Sequence, residues 1–205
     1  MMQRRRMGWR GAAALGVLVA LAGCASPQGV APGAAPAAVA VSATPSSAMP
    51  LLRLAPAALG RTLALQQQLS VRGPDGTQRH LQALLEADAR ELRIALTSMG
   101  QVLARMRWDG AQLDVQRSRH WPEQVAPERI LSDLQLALWP VAQIAAALPP
   151  DWQLLASADG TRRLLQAGST RIEVREPSPG VTEIDYLQEG WQLRIETLAL
   201  PQVQP

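Results

Sequence analysis

Few residues in this 205-residue chain have the type and spacing for covalent chemistry. Ser98 lies outside any Gly-x-Ser-x-Gly elbow, the strained turn that exposes a nucleophilic hydroxyl. The two histidines are far apart, His80 beside Arg79 and His120 before Trp121-Pro122. Each reads as a surface or turn histidine, and their separation argues against a multi-His metal site. Glu86 and Asp88 are two residues apart, which on a strand places both on one face. Paired carboxylates can do acid–base work, although two solvated strand charges look the same in sequence. Asp133 falls inside a helical stretch and could pair with an arginine. Arg105 and Arg107 share a strand face with Leu103, a face that is either solvated or turned to an acidic head group. No nucleophile has a base at a recognisable spacing, and no glycine-rich phosphate loop is present. The expectation is a protein that is not an enzyme, with no cofactor and no metal.

The remaining reactive group is the thiol of Cys24, the sole cysteine. Arg4, Arg5, Arg6 and Arg10 precede an apolar run from Gly11 to Ala22, which ends in Leu21-Ala22-Gly23-Cys24. A cationic start, a short apolar stretch and a small-residue site read as a secretory signal over residues 1–23. The run is too short to span a bilayer, which needs ~20 residues. The four residues up to Cys24 resemble the bacterial lipobox, in which the sulfur receives a diacylglyceryl group and the new amine a further chain such as palmitate. Two or more chains give stable anchoring, at ~0.8 kcal/mol per buried methylene. Ala25 and Ser26 replace the Asp of an inner-membrane retention signal, which implies the outer membrane, on its periplasmic face.

Removing the signal changes the charge. All 20 basic residues are Arg, and 16 remain against 17 acids, so the formal charge moves from +3 to −1. That balance excludes a basic stripe for nucleic acid. Residues 24–50 then read as the acylated Cys and an uncharged Ala/Pro-rich spacer, in which Pro27, Pro32, Pro36, Pro45 and Pro50 break any helix.

Residues 51–200 must form the folded domain, and 47% apolar residues suffice for a core. From Thr62 the pattern has period two, with Leu63, Leu65, Gln67, Leu69 and Val71 on one face. Gly73-Pro74-Asp75-Gly76 marks a turn, Leu81 to Ala87 and Leu92 to Leu96 are candidate strands, and Met99-Gly100 is a break. Val102 to Trp108 and Leu113-Val115 flank Asp109-Gly110, which predicts a type I′ hairpin. Residues 62–118 thus read as a meander of about five strands. Pro127 to Leu148 is helical, with Ile130, Leu131, Leu134 and Leu138 at helical spacing and Pro140 ending or kinking the helix. Five more strands follow, over Trp152–Ala156, Arg162–Gln166, Arg171–Arg175, Thr182–Leu187 and Trp191–Leu198. The expected fold is mainly β: a curled antiparallel half-barrel of about ten strands, its apolar face closed by a central helical block. Such a fold leaves a lipid-sized cavity where the helix does not fill it. With no Phe and one Tyr, Trp supplies nearly all the aromatic bulk. Trp108, Trp139 and Trp191, with Leu134 and Leu138, are the candidate cavity lining, and plain core packing stays open for each.

Several strings carry a resemblance to a known family. These are Leu65-Gln66-Gln67, Leu81 to Glu86, Gly100-Gln101, Trp108-Asp109-Gly110, Arg129 to Leu136, Trp139-Pro140 and Leu148-Pro149 with Trp152. Over roughly residues 51–198 the chain resembles domain-of-unknown-function outer-membrane lipoproteins found beside aryl-polyene and fatty-acid-synthase-like gene clusters. The resemblance implies a fold similar to the lipoprotein carrier LolA and receptor LolB, with a hydrophobic cavity and no known enzymatic activity. It suggests holding or handing over an acyl or polyene-lipid cargo. The LolB receptor pushes an apolar loop toward the membrane, where this chain has the short Ser98-Met99-Gly100. The other reading is a scaffold lipoprotein that binds a protein of the same pathway through its polar sheet face.

The lipobox makes a direct prediction. Cells given labelled palmitate should label the natural chain, while Cys24→Ala should stay unlabelled and accumulate uncut. Label retained by Cys24→Ala would dismiss the anchor.

Overall fold

The computed structural model describes residues 49–123 and 125–198. The signal segment, Cys24, nearly all of the spacer and Pro201 to Pro205 lie outside the described residues. Ten strands form one antiparallel sheet: β1 (Leu63–Arg72), β2 (Gln78–Ala87), β3 (Leu92–Ser98), β4 (Gln101–Trp108), β5 (Leu113–Arg117), β6 (Trp152–Ala156), β7 (Arg162–Gln166), β8 (Ser169–Ser178), β9 (Val181–Tyr186) and β10 (Trp191–Leu198). Their order is β5-β4-β3-β2-β1-β10-β9-β8-β7-β6, so the sheet stays open with β5 and β6 at its edges. Two helices, α1 (Pro127–Leu138) and α2 (Val141–Ala147), connect β5 to β6.

Register follows from the period-two pattern. Leu65 opposes Leu85, which opposes Ile94, which opposes Met106. Leu69 opposes both Leu81 and Ile195. A slip of one residue would turn all of these to water. The outer face instead carries cross-strand ion pairs, such as Arg93–Glu86, Arg107–Asp114 and Arg194–Glu183. Exposed pairs of this kind add little stability each, but they keep the outer face charged.

Helix α1 starts at Pro127, whose fixed φ suits a first turn. It ends at Leu138 because Trp139 precedes Pro140 and is extended, at φ −79° and ψ 153°. Leu131, Leu134 and Leu136 are buried, but so are Ser132, Asp133 and Gln135. The middle of the helix is therefore covered all round, not on one apolar stripe. The second cover is a strap, residues 49–59, ending in the 3-10 turn Pro56–Leu59. Leu54 donates its N–H to Gln135 Oε1 at 2.9 Å and accepts from Gln135 Nε2 at 2.8 Å. Leu52 N–H donates to Ser132 Oγ. Trp108 and Trp139 donate their indole N–H groups to the carbonyls of Leu54 and Ala55.

These bonds require the sheet to curl. β4 and β7 are seven steps apart in the strand order, ~34 Å if the sheet were flat at ~4.8 Å per step. Yet Trp108 of β4 and Gln135 of α1 share the Leu54 carbonyl, and Arg162 of β7 donates to the carbonyl of Leu136, the next residue of α1. Side chains bridge that span only if the strands wrap around the helix.

Two local readings are corrected, and the expected break at Met99-Gly100 takes a definite form. Asp109-Gly110 does not form a two-residue turn, because the Asp109 carboxylate accepts from Ala111 and Gln112 N–H and widens the connection to four residues. Two-residue hairpins lie instead at Met99-Gly100, with φ of 46° and 76° between paired Ser98 and Gln101, and at Ala167-Gly168 between Gln166 and Ser169. Asp88 shares no strand face with Glu86; it follows β2 and caps the turn by accepting from Arg90 and Glu91 N–H.

Gln135 tests how far the strap depends on α1. Gln135→Ala leaves the buried Leu54 N–H unpaired, at a cost of ~1–3 kcal/mol. Urea unfolding should show that loss. An unchanged midpoint would mean that the strap is not held by these bonds.

Candidate functional site

A cavity of about 560 Å³ lies between the N-terminal half of α1 and the inner face of β1, β2 and β10. Leu69, Leu81 and Leu193 form its floor, and Ile130 and Leu134 of α1 its roof. Its rim is built by the β1–β2 turn at Gly73 and Thr77 and by the loop at Pro122, Val125 and Ala126. Trp121 holds that loop, donating its indole N–H to the Val125 carbonyl at 3.1 Å. Met49, the first described residue of the strap, also lines the cavity.

The structure brings two of the five expected lining residues, Leu134 and Trp191, to this cavity. Trp108, Leu138 and Trp139 are elsewhere. Trp108 and Trp139 are 1% and 2% exposed and serve the strap, because a buried indole N–H needs an acceptor and theirs are the Leu54 and Ala55 carbonyls. Leu138 is half-buried at the last turn of α1, beyond the cavity. Sequence reasoning missed Leu69, Leu81 and Leu193 as lining, although their inward parity was legible.

One polar cluster interrupts the apolar wall. Asp133, 5% exposed, accepts a hydrogen bond from Tyr186 Oη. Arg129, one turn earlier on α1, approaches the same carboxylate oxygen at 3.6 Å and lies 5.6 Å over the Tyr186 ring. Tyr186 stacks on Trp191 at 3.7 Å between ring centroids, a pair set by their opposition across β9 and β10. Burial raises the Asp133 carboxyl to about 7, against the opposing pull of Arg129 and Tyr186. The Tyr186 hydroxyl is raised as well, by its own burial and then by Asp133. The i,i+4 spacing of Arg129 and Asp133 was the available sequence signal.

Other candidates group differently. Register places Ser70 opposite His80, and Ser70 Oγ lies 2.9 Å from His80 Nδ1 on the exposed outer face. No carboxylate orients that ring among the described residues. His120 accepts from Arg119. A wider groove of about 770 Å³ crosses the outer face at Arg93, Arg105 and Arg107. Its walls are charged; Arg93 and Arg107 are tied to Glu86, Glu91 and Asp114, whereas Arg105 joins no such pair. Among the described residues no three His, Cys, Asp or Glu gather as a metal site would require, and no helix is long and apolar enough to cross a membrane.

A family model described as "Protein of unknown function (DUF3261)" matches residues 64–199, which spans the sheet from β1 to β10. The chain belongs to this family. No curated protein matches the chain.

Asp133 should mark itself in the pH dependence of stability. Its folded pKa of about 7 exceeds the unfolded value near 3.9, so the folded state holds the extra proton. The stability this contributes is complete at about pH 4 and is lost as pH rises to about 7, by at most ~4 kcal/mol. Asp133→Asn removes that titration. The difference in unfolding free energy between the two proteins should move over this window, and a flat difference would refute the assignment.

Proposed function

We propose that this DUF3261 protein is a non-catalytic lipoprotein, anchored through Cys24 to the periplasmic face of the bacterial outer membrane. In this reading it holds or hands over an acyl or polyene chain in the cavity beneath α1. The observation that carries the reading is the cavity itself. Its volume of about 560 Å³ falls within the ~300–1,000 Å³ of small-molecule sites, and its lining is apolar apart from Thr77 and three charged residues. An apolar chain entering it gains ~25 cal/mol for each Å² removed from water. The cost is small because α1 is already held in place by Gln135, Arg162 and the strap.

The likeness to LolA and LolB supports the same reading: a curled open sheet, helices on its apolar face and a cavity between them. The chain's resemblance to lipoproteins beside aryl-polyene and fatty-acid-synthase-like clusters suggests where such a cargo arises. Met49 at the cavity wall fits a tether, since a spacer from Cys24 would deliver the cavity ~25–30 Å from the membrane at most ordinary extensions.

Native mass spectrometry of the acylated chain, and of a chain starting at Ala25, tests the reading. Both should carry a non-covalent acyl or polyene species. Ile130→Asp, at a half-buried lining position, should lose that species while its thermal unfolding stays within a few degrees. A folded protein that stays bare and ignores added fatty acids and phospholipids would overturn the carrier. The scaffold that binds a pathway protein would then stand in its place.

A further inference from the structure

The charges on the cavity wall are unequal. Among the described residues its charged lining is Arg79, Arg129 and Asp133, two cations against one acid. Arg79 lies at the start of β2 opposite Val71, so its side chain shares the inward face and reaches the rim. It enters none of the ion pairs of the described residues, and its field reaches Asp75 only across the β1–β2 turn. Arg129 contacts one oxygen of Asp133 at 3.6 Å, and its side chain is 22% exposed. A guanidinium has five N–H donors, so Arg129 has the capacity to meet a second acid beside Asp133 and Tyr186. The remaining titratable group at Asp133 is Tyr186 from β9, which already donates to it. Below this rim the wall is Leu69, Leu81, Leu134 and Leu193. An apolar chamber with surplus guanidinium at one end matches one ligand chemistry, a tail with an acidic head.

We propose that the cavity takes a single-chain amphiphile whose anionic head, carboxylate or phosphate, is gripped by Arg79 and Arg129 and displaces Asp133 as the partner of Arg129. This rests on the carrier reading above and adds the class of cargo. Guanidinium suits both heads, because its planar fork meets two oxygens at once. The displacement has a consequence for protons. Asp133 without Arg129, and with a second anion nearby, is a buried carboxylate in apolar surroundings. Above about pH 7, where the free protein holds Asp133 ionised, it takes up a proton from solvent as the ligand enters and keeps its hydrogen bond to Tyr186. Binding of an anionic amphiphile therefore tightens as pH falls toward about 7, by at most tenfold per pH unit, and levels off below that, where Asp133 is already protonated in the free protein.

The test compares laurate, dodecyl phosphate and dodecanol on the full chain, with Trp191 fluorescence and calorimetry as readouts. The two anionic ligands should bind about tenfold more tightly than dodecanol at pH 7. Arg79→Gln, at the exposed rim, should erase that preference without changing dodecanol binding or thermal unfolding. Arg129→Gln should also erase the preference, but with a lower unfolding temperature because it leaves buried Asp133 without its cation, and Asp133→Asn should flatten the pH dependence. Equal binding of all three ligands would overturn the head-group assignment and leave the carrier reading standing. Binding of none, by folded protein, would overturn both.

Discussion

The buried middle of α1 constrains everything around it. A helix covered on one side would need only an apolar stripe. This one carries Ser132, Asp133 and Gln135 inward as well, each 5% exposed or less. Buried polar groups must find partners or cost ~1–3 kcal/mol apiece. Ser132 and Gln135 find theirs in the strap, and Asp133 finds Tyr186 on β9. The C-terminal turn finds another partner, since Arg162 of β7 caps the Leu136 carbonyl that the helix leaves open. The sheet partners come from β7 and β9 in one half of the sheet, and the strap is tied in turn to Trp108 of β4 in the other half. Satisfying them together is what wraps ten strands around a helix ~18 Å long.

The cavity is the other side of that arrangement. Bonds concentrate on the second half of α1, where Gln135, Leu136 and Trp139 are all engaged. The first half has no equivalent stitching to β1, β2 or β10, and there the helix stands off the sheet. Most of what faces the gap is apolar, so away from Thr77, Arg79, Arg129 and Asp133 water gains few partners inside it. The surrounding frame is rigid while this space is not filled by side chains.

Asp133 sits where these two features meet. It is a buried acid whose partners do not fully offset its burial, so its charge is held weakly at neutral pH. For stability alone an apolar residue of similar size would do as well. Its position on the cavity wall, one helical turn from Arg129, gives the carboxylate a second use as the resident counter-ion of a cationic rim.

The strand count, the strands at Trp152–Ala156, Arg162–Gln166 and Trp191–Leu198, and the break at Pro140 were all legible in sequence, because period-two alternation and proline sterics are local. The inward parity of Leu69, Leu81 and Leu193 was legible for the same reason. The turns were less so: the Asp109 carboxylate captured two N–H groups and made a four-residue loop, while Met99, an unfavourable residue at positive φ, accepted the tight hairpin that register imposed. Sequence alone determined which face of each strand is apolar and where the helix begins and ends. Only the tertiary structure decided that Trp108 and Trp139 serve the strap while Leu134 and Trp191 face the cavity. The physical reason is that partners such as Leu54, Gln135 and Tyr186 lie 50 or more residues apart, and hydrogen-bond demand across that distance leaves no local periodicity to read.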